Sequence, residues 1–247
     1  MAITVEGLTR SFGELTAVSD LSFGVAPGEI VGLLGPNGAG KTTTLRTLAG
    51  ILRPSAGRAV VAGFDVVQAP LEAKRRLAFM PDEPHLFDYL TVAEHLQLVA
   101  RLYGIHDIEA RSGPLLEELE MTGWAHKLPG ELSRGMRQKV VIACGLVRTP
   151  QVLLFDEPLT GLDPIGIRRM RETIVRRGQA GAAILVSSHL LHLVEEVCTR
   201  IIIMNRGRKV ADGSVAQLAA RANAGEQGTT LEQIFVSMTS AGETSPE

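Results

Sequence analysis

Residues 35–42 read Gly-Pro-Asn-Gly-Ala-Gly-Lys-Thr, set between an apolar run, Ile30–Leu34, and a segment, Thr42–Ala49, with helical spacing of its apolar positions. Strand, glycine-rich loop and helix start, in that order, admit few folds. Gly35, Gly38 and Gly40 let the backbone turn with positive φ and approach a ligand with no Cβ in the way. Successive N–H groups then point inward and the helix N-terminus adds partial positive charge, so the loop is suited to an anion. In that setting Lys41 reaches β- and γ-phosphates as a mobile point charge, and the Thr42 hydroxyl suits Mg2+. The stretch is a complete Walker A phosphate loop. The nucleotide-binding loop expected from it comprises Gly35, Pro36, Asn37, Gly38, Ala39, Gly40, Lys41, Thr42 and Thr43. A chance glycine-rich turn with these fixed positions arises roughly once in a hundred chains of this length, and the flanks lower that further.

Short apolar strands alternate with longer amphipathic segments, which argues for an α/β fold. With 247 residues, 45% hydrophobic and 21% charged, the chain can bury the core of one large domain, or of a domain with a subdomain. Its net charge of −2 gives no electrostatic footprint for nucleic acid or anionic lipid. Cys144 and Cys198 sit in apolar helical patterns and read as small core residues. His189 and His192 lack a third neighbour with metal-ligand spacing. The N-terminus opens on a strand-like Ile3-Thr4-Val5 with no signal-peptide pattern, and no apolar stretch reaches the ~18–20 residues of a spanning helix. A soluble polypeptide is expected.

Strands are expected at Ile3–Arg10, Leu21–Val25, Ile30–Leu34, Arg58–Val61, Leu77–Met80, Val152–Phe155, Ala183–Ser187, Ile201–Met204 and Lys209–Asp212. Helices are expected at Thr42–Ala49, Val92–Tyr103, Ile108–Met121, Arg134–Val147, Ile165–Arg177 and Leu190–Val197. Pro27-Gly28 marks a turn between two strands. Between about residues 84 and 147 only helical patterns occur, a helical insertion in the core. A short helix, Val215–Arg221, is followed by a Gly/Ala/Thr-rich linker over 222–230. An amphipathic turn, Leu231–Met238, then precedes a polar tail expected to be disordered.

Val152–Phe155 is an apolar strand followed by Asp156 and Glu157. Open α/β sheets bind ligands at the carboxyl ends of such strands. Asp156 there suits Mg2+, held directly or through water, and Glu157 suits the general base that polarises an attacking water. Two acids after a strand also suit a plain solvated turn. The complete phosphate loop upstream favours the catalytic assignment.

Between these motifs lies Leu132-Ser133-Arg134-Gly135-Met136. Ser133 is a good N-cap for the helix that follows, whose exposed N–H groups form an anion site. Here the chain resembles the ATP-binding cassette (ABC) family, whose signature is Leu-Ser-Gly-Gly-Gln at a helix start. Gly161-Leu162-Asp163 resembles the family's D-loop, and Ser187-Ser188-His189 after a strand resembles its switch histidine. Phe12 falls where the family places an aromatic against adenine, although a strand-like setting also suits a core Phe. The resemblance spans about residues 2–215. It implies a P-loop NTPase core with a mixed sheet, an N-terminal antiparallel β subdomain and the helical insertion, with residues 216–247 as a C-terminal extension. It also implies that two cassettes sandwich two ATPs head to tail, with Ser133 and Gly135 on the γ-phosphate held by the other subunit, Asp163 linking the sites and His189 contacting the γ-phosphate. Arg134 and Met136 depart from the signature. Asp82, in Pro81-Asp82-Glu83-Pro84, stands where the family has its Q-loop glutamine; as a carboxylate it can still ligate Mg2+ or water. Leu231–Phe235 resembles the C-terminal helix of export-type cassettes.

The function implied is the ATP-hydrolysing subunit of a membrane transporter. It would dimerise on ATP with a second cassette, identical or not, and drive a separate transmembrane permease from the inner face of the cell membrane. The alternatives are a soluble ABC ATPase of DNA repair or translation, against which the chain has no second cassette, coiled-coil insertion or basic run, and a P-loop kinase or GTPase, against which it has no Asn-Lys-x-Asp motif. A cytoplasmic helix of the permease is expected to dock where the Pro81–Pro84 loop meets the insertion, near Leu86, Phe87, Tyr89 and Leu90.

Overall fold

The computed structural model describes residues 1–189, 191–221 and 231–240. The expected linker, the polar tail and Leu190 lie outside these residues. Two sheets organise the chain. The first is antiparallel and takes β1 (Ile3–Phe12), β2 (Leu15–Val25), β4 (Ala56–Val61) and β5 (Phe64–Asp65) in the order β2-β1-β4-β5. The second runs β10-β9-β3-β8-β7-β6, formed by β3 (Ile30–Leu34), β6 (Leu77–Met80), β7 (Val152–Asp156), β8 (Ala183–Ser188), β9 (Arg200–Asn205) and β10 (Arg208–Gly213). Only the β9–β10 pairing in this sheet is antiparallel. Every residue of β3, β7 and β8 is buried, as expected of parallel strands covered on both faces.

The helix α1 (Lys41–Leu48) follows the phosphate loop directly. Its buried Thr44 and Thr47 hydroxyls donate to the carbonyls of Gly40 and Thr43, at 2.9 and 2.7 Å, so neither hydroxyl is stranded. Among its described residues the insertion holds helices and no strand: after a loop come α3 (Val92–Tyr103), α4 (Ile108–Glu118), two short 3-10 turns and α5 (Arg134–Leu146). Helices α6 (Pro164–Gln179) and α7 (Leu191–Val197) flank β8 in the sequence. At the end, α8 (Val215–Arg221) and α9 (Leu231–Ser240) pack Leu218, Leu231 and Ile234 against Leu34, Ile201 and Ile203 of the sheet. Cys144 and Cys198 are unpaired, and burial pushes both thiols up to about 12, as suits core residues.

Three local differences have physical causes. Strand β2 begins at Leu15, not Leu21, because Phe12 pairs with Leu15 across a tight hairpin whose polar outer face hides the strand pattern. The elements β5 and α2 (Pro70–Arg76) were not foreseen. Helix α2 buries only Ala73, so it carries no apolar periodicity, and Pro70 starts it by preset φ rather than by pattern. The helix expected to reach Met121 stops at Glu118, since Glu120 takes a left-handed φ of 57°.

Candidate functional site

Parallel register gathers the site. Leu34 pairs with Ser188 and Asp156 with Ser187, so the carboxyl ends of β3, β8 and β7 lie side by side. The phosphate loop leaves β3, Glu157 follows β7, and His189 follows β8.

The loop's geometry demands glycine at its last turn. Gly40 has a φ of 98°, and a Cβ there would collide with the Ala17 carbonyl oxygen. Lys41 Nζ donates back across the loop to the carbonyls of Gly35 at 2.7 Å and Pro36 at 3.2 Å. Burial pulls the Lys41 ammonium below its ordinary value, and the negative charges of Glu157 and Asp156 oppose that fall. A buried cation thus sits over the loop, facing two acids.

The acids belong to one hydrogen-bonded chain. Asp156 Oδ1 accepts from the Thr42 hydroxyl at 3.0 Å and from the Ser187 hydroxyl at 2.7 Å. Ser187 Oγ accepts the Glu157 N–H at 3.1 Å, and the Ser187 carbonyl shares that donor at 3.2 Å. These bonds hold Glu157 at a φ of 49°, a left-handed conformation that costs a non-glycine residue about 1–3 kcal/mol. Glu157 Oε2 in turn accepts from the His189 N–H at 3.3 Å and from His189 Nδ1 at 2.8 Å. A carboxylate only accepts, so Nδ1 carries the hydrogen. Ser187 is the member that sequence reasoning missed. Its signal is positional: a hydroxyl at the end of a buried strand beside another strand's terminal acid. Thr42 and Asp156 supply a hydroxyl and a carboxylate side by side, the hard oxygen donors that Mg2+ requires.

The other expected residues divide. Ser133 caps α5, its Oγ accepting the Met136 N–H at 3.2 Å. Gly135 is buried beneath the backbone of Gly161, and Asp163 caps α6 by accepting the Gly166 N–H at 2.7 Å. Asp82 is not bonded to Thr42 or Asp156; its Oδ1 accepts from Arg134 at 3.2 Å. Phe12 is 43% exposed, which removes the core reading, and the Arg10 guanidinium lies 4.4 Å from its ring centroid. The hairpin carrying Phe12 is the one whose Ala17 abuts Gly40. Leu86 packs inward, whereas Phe87 and Tyr89 are 63% and 91% exposed. A cavity of about 270 Å3 adjoins the phosphate loop, lined by Pro36, Asn37, His189, Leu191 and Phe235, so α9 walls the site.

An anion cradle with a facing lysine, an oxygen pair fit for a divalent cation and a second carboxylate held by histidine define a phosphate-loop nucleotide hydrolase. The ABC transporter family matches residues 18–160. The chain is 39% identical to the ABC transporter ATP-binding protein NatA of Bacillus subtilis, over 95% of this chain and 97% of that protein. It is 37% identical to the doxorubicin resistance ATP-binding protein DrrA of Mycobacterium tuberculosis, over 90% of this chain and 68% of that one. A solved ATP-binding subunit of an ABC transporter superposes with a TM-score of 0.91 at 33% identity, covering 96% of this chain and 99% of that one. The fold also matches, at a TM-score of 0.79 and 21% identity, a dimeric ATP-binding cassette bound to ADP and Pi. The chain belongs to the ABC transporter family, as an ATP-binding, ATP-hydrolysing subunit. The alternative of DNA repair or translation is set aside by these transporter relatives. Among the described residues, no helix is long and apolar enough to cross a membrane.

Proposed function

We propose that this subunit closes with a second cassette, identical or paralogous, around ATP, and that closing and reopening drive a separate transmembrane permease from the cytoplasmic face of the membrane. The observation that carries this reading is the continuous hydrogen-bonded chain Thr42–Asp156–Ser187–Glu157–His189 beside the phosphate loop. Phosphoryl transfer asks a protein mainly for positioning and placed charge. Residues 35–43 cradle the phosphates, and Lys41 turns from its own loop's carbonyls to the phosphate oxygens. Thr42 and Asp156 would hold Mg2+, which when bound neutralises phosphate charge; Asp82 would join them only on leaving Arg134. Glu157 takes a proton from the attacking water, and His189 fixes the Glu157 carboxylate while facing the terminal phosphate. Phe12 stacks on adenine. Ser133 and Gly135 face the nucleotide held by the other cassette, and Asp163 keeps the two sites in register. Residues 1–215 form this unit, with 216–247 as an extension.

Replacing Glu157 by Gln tests the reading. The amide keeps shape and hydrogen bonding but cannot take the proton, so hydrolysis should fall by roughly 10²-fold or more while ATP still binds. The trapped protein should elute as a dimer with Mg·ATP in size-exclusion chromatography. A monomeric, fully active variant would remove both the base and the sandwich.

A further inference from the structure

Asp82 and Arg134 lie 52 positions apart in the chain, and they meet: Asp82 Oδ1 accepts from Arg134 Nη2 at 3.2 Å. Each stands where the resembled pattern has an uncharged residue, so one contact accounts for two departures. The pair joins the loop after β6 to the start of α5. A second bond runs beside it, from the buried Gln138 side chain to the Pro81 carbonyl at 3.0 Å. The Arg134 stem also covers the D-loop, since a Cβ at Gly161 would lie 3.4 Å from Arg134 Cδ.

Magnitude indicates what the pair is for. The Arg134 and Asp82 side chains are 50% and 46% exposed. An exposed pair of this kind contributes about 0–1 kcal/mol, too little to matter to the fold. A bond that weak is easily broken and remade. The Gln138–Pro81 bond, made by a buried side chain, is the firmer tether, and Asp82–Arg134 is the exchangeable one. Farther along the same loop stand the exposed Phe87 and Tyr89, and the Phe87 N–H is tied to α3 through His95 Nε2 at 2.9 Å. Pro81 and Pro84 restrict the intervening backbone, so the loop is stiff enough to pass on a displacement.

We infer that Asp82 and Arg134 form a coupling clasp that passes movement of the loop over residues 81–90 to the signature helix α5, and movement of α5 back to the loop. Both act as positioning residues. The inference rests on the ATP sandwich and permease docking proposed above. Coupling of this kind is reciprocal, so ATP should alter the loop in the absence of any permease.

The test is hydrogen exchange of the segment 85–91 in the full chain carrying Glu157→Gln, with and without Mg·ATP, beside size-exclusion chromatography. A link of this strength should give a change of about 2- to 5-fold in the segment's exchange rate on adding ATP. Arg134→Ala and, separately, Asp82→Asn should each abolish most of that response while circular dichroism stays unchanged. Exchanging the charges, Asp82→Arg with Arg134→Asp, should restore it, because an aspartate in the first turn suits the helix N-terminus. If the dimer forms but either single variant keeps the full response, or the exchanged pair fails to restore it, the clasp is refuted and the sandwich stands. If no dimer forms in the Glu157→Gln chain, the sandwich itself fails and the clasp falls with it.

Discussion

Replacing Gly135 by Ala separates two accounts of the same glycine. If its only task is to let a phosphate approach, an added methyl leaves the free subunit untouched. In the structure, however, a Cβ at Gly135 would lie 2.7 Å from the Gly161 carbonyl oxygen and 3.3 Å from Leu162 Cδ2. The leucine methyl can rotate away. The carbonyl belongs to a backbone held at a φ of 80° at Gly161, two residues before the Asp163 cap of α6, and it moves only if the whole turn moves. Overpacking of this kind costs about 1–3 kcal/mol. A rigid backbone neighbour at 2.7 Å puts the cost in the upper part of that range, about 2–3 kcal/mol, and the better helix propensity of alanine returns at most ~1 kcal/mol, so the net loss is about 1–2 kcal/mol. For a chain of this size each kcal/mol shifts the melting temperature by roughly 2–4 °C, giving a fall of about 2–8 °C. Thermal denaturation followed by circular dichroism reads this directly. Affinity for a fluorescent ATP analogue should stay nearly unchanged, since the phosphate loop lies on another element, while ATP-driven dimerisation of the Glu157→Gln chain should weaken. An unchanged or raised melting temperature would refute the close-packing account.

Ser187→Ala removes a donor to Asp156 and leaves that carboxylate short of a partner in a buried setting, at a cost of about 1–3 kcal/mol. Steady-state kinetics should show kcat for ATP lowered by about 10-fold, and a wild-type kcat would dismiss Ser187 from the site. Phe12→Ala should weaken binding of the ATP analogue by about 5-fold or more, because stacking on a base contributes about 1–3 kcal/mol; an unchanged Kd would place the adenine elsewhere. Phe87→Glu and Tyr89→Glu should leave the isolated subunit folded and ATP-binding while releasing it from membranes, because both side chains face solvent. Pull-down of the permease by both folded variants would move the docking surface to another face.

What was legible in the sequence was contiguous. The phosphate loop, the Asp156–Glu157 pair and the Ser133 cap each depend on neighbours in the chain, where backbone conformation and spacing decide the outcome. Ser187 and the Asp82–Arg134 contact depend on partners 31 and 52 positions away, and no local pattern encodes them. The first follows from the parallel register of β7 and β8, which sets Asp156 opposite Ser187. The second follows from the way α5 runs back along β6, with Gly145 beside Ala78 and Met80, Gln138 at Pro81 and Arg134 at Asp82. The short elements β5 and α2 carry no such signal for the opposite reason: they bury almost nothing, so they show no hydrophobic periodicity. The alternative of a core role for Phe12 fails at the hairpin, where the strand runs on into solvent.

Burial grades these interactions into rigid and yielding ones. Asp156 and Ser187 are 2% and 0% exposed, and their bond lies where low dielectric strengthens a satisfied network, so this end of the sheet is held rigidly. The loop over residues 81–90 is fixed at two points. Gln138 holds the Pro81 carbonyl, and the buried His95 ring joins Thr91 to Phe87: its Nδ1–H donates to the Thr91 carbonyl at 2.8 Å, while Nε2 accepts the Phe87 N–H. A carbonyl can only accept and an amide N–H can only donate, so those partners require a neutral ring with its hydrogen on Nδ1. A push on the exposed Tyr89 therefore does not bend a free tip. It loads α3 through His95 at one end and, at the other, reaches the weak Asp82–Arg134 pair before the bond from the buried Gln138. Both bonds end on α5, and the one that yields first is the one at the start of the signature helix.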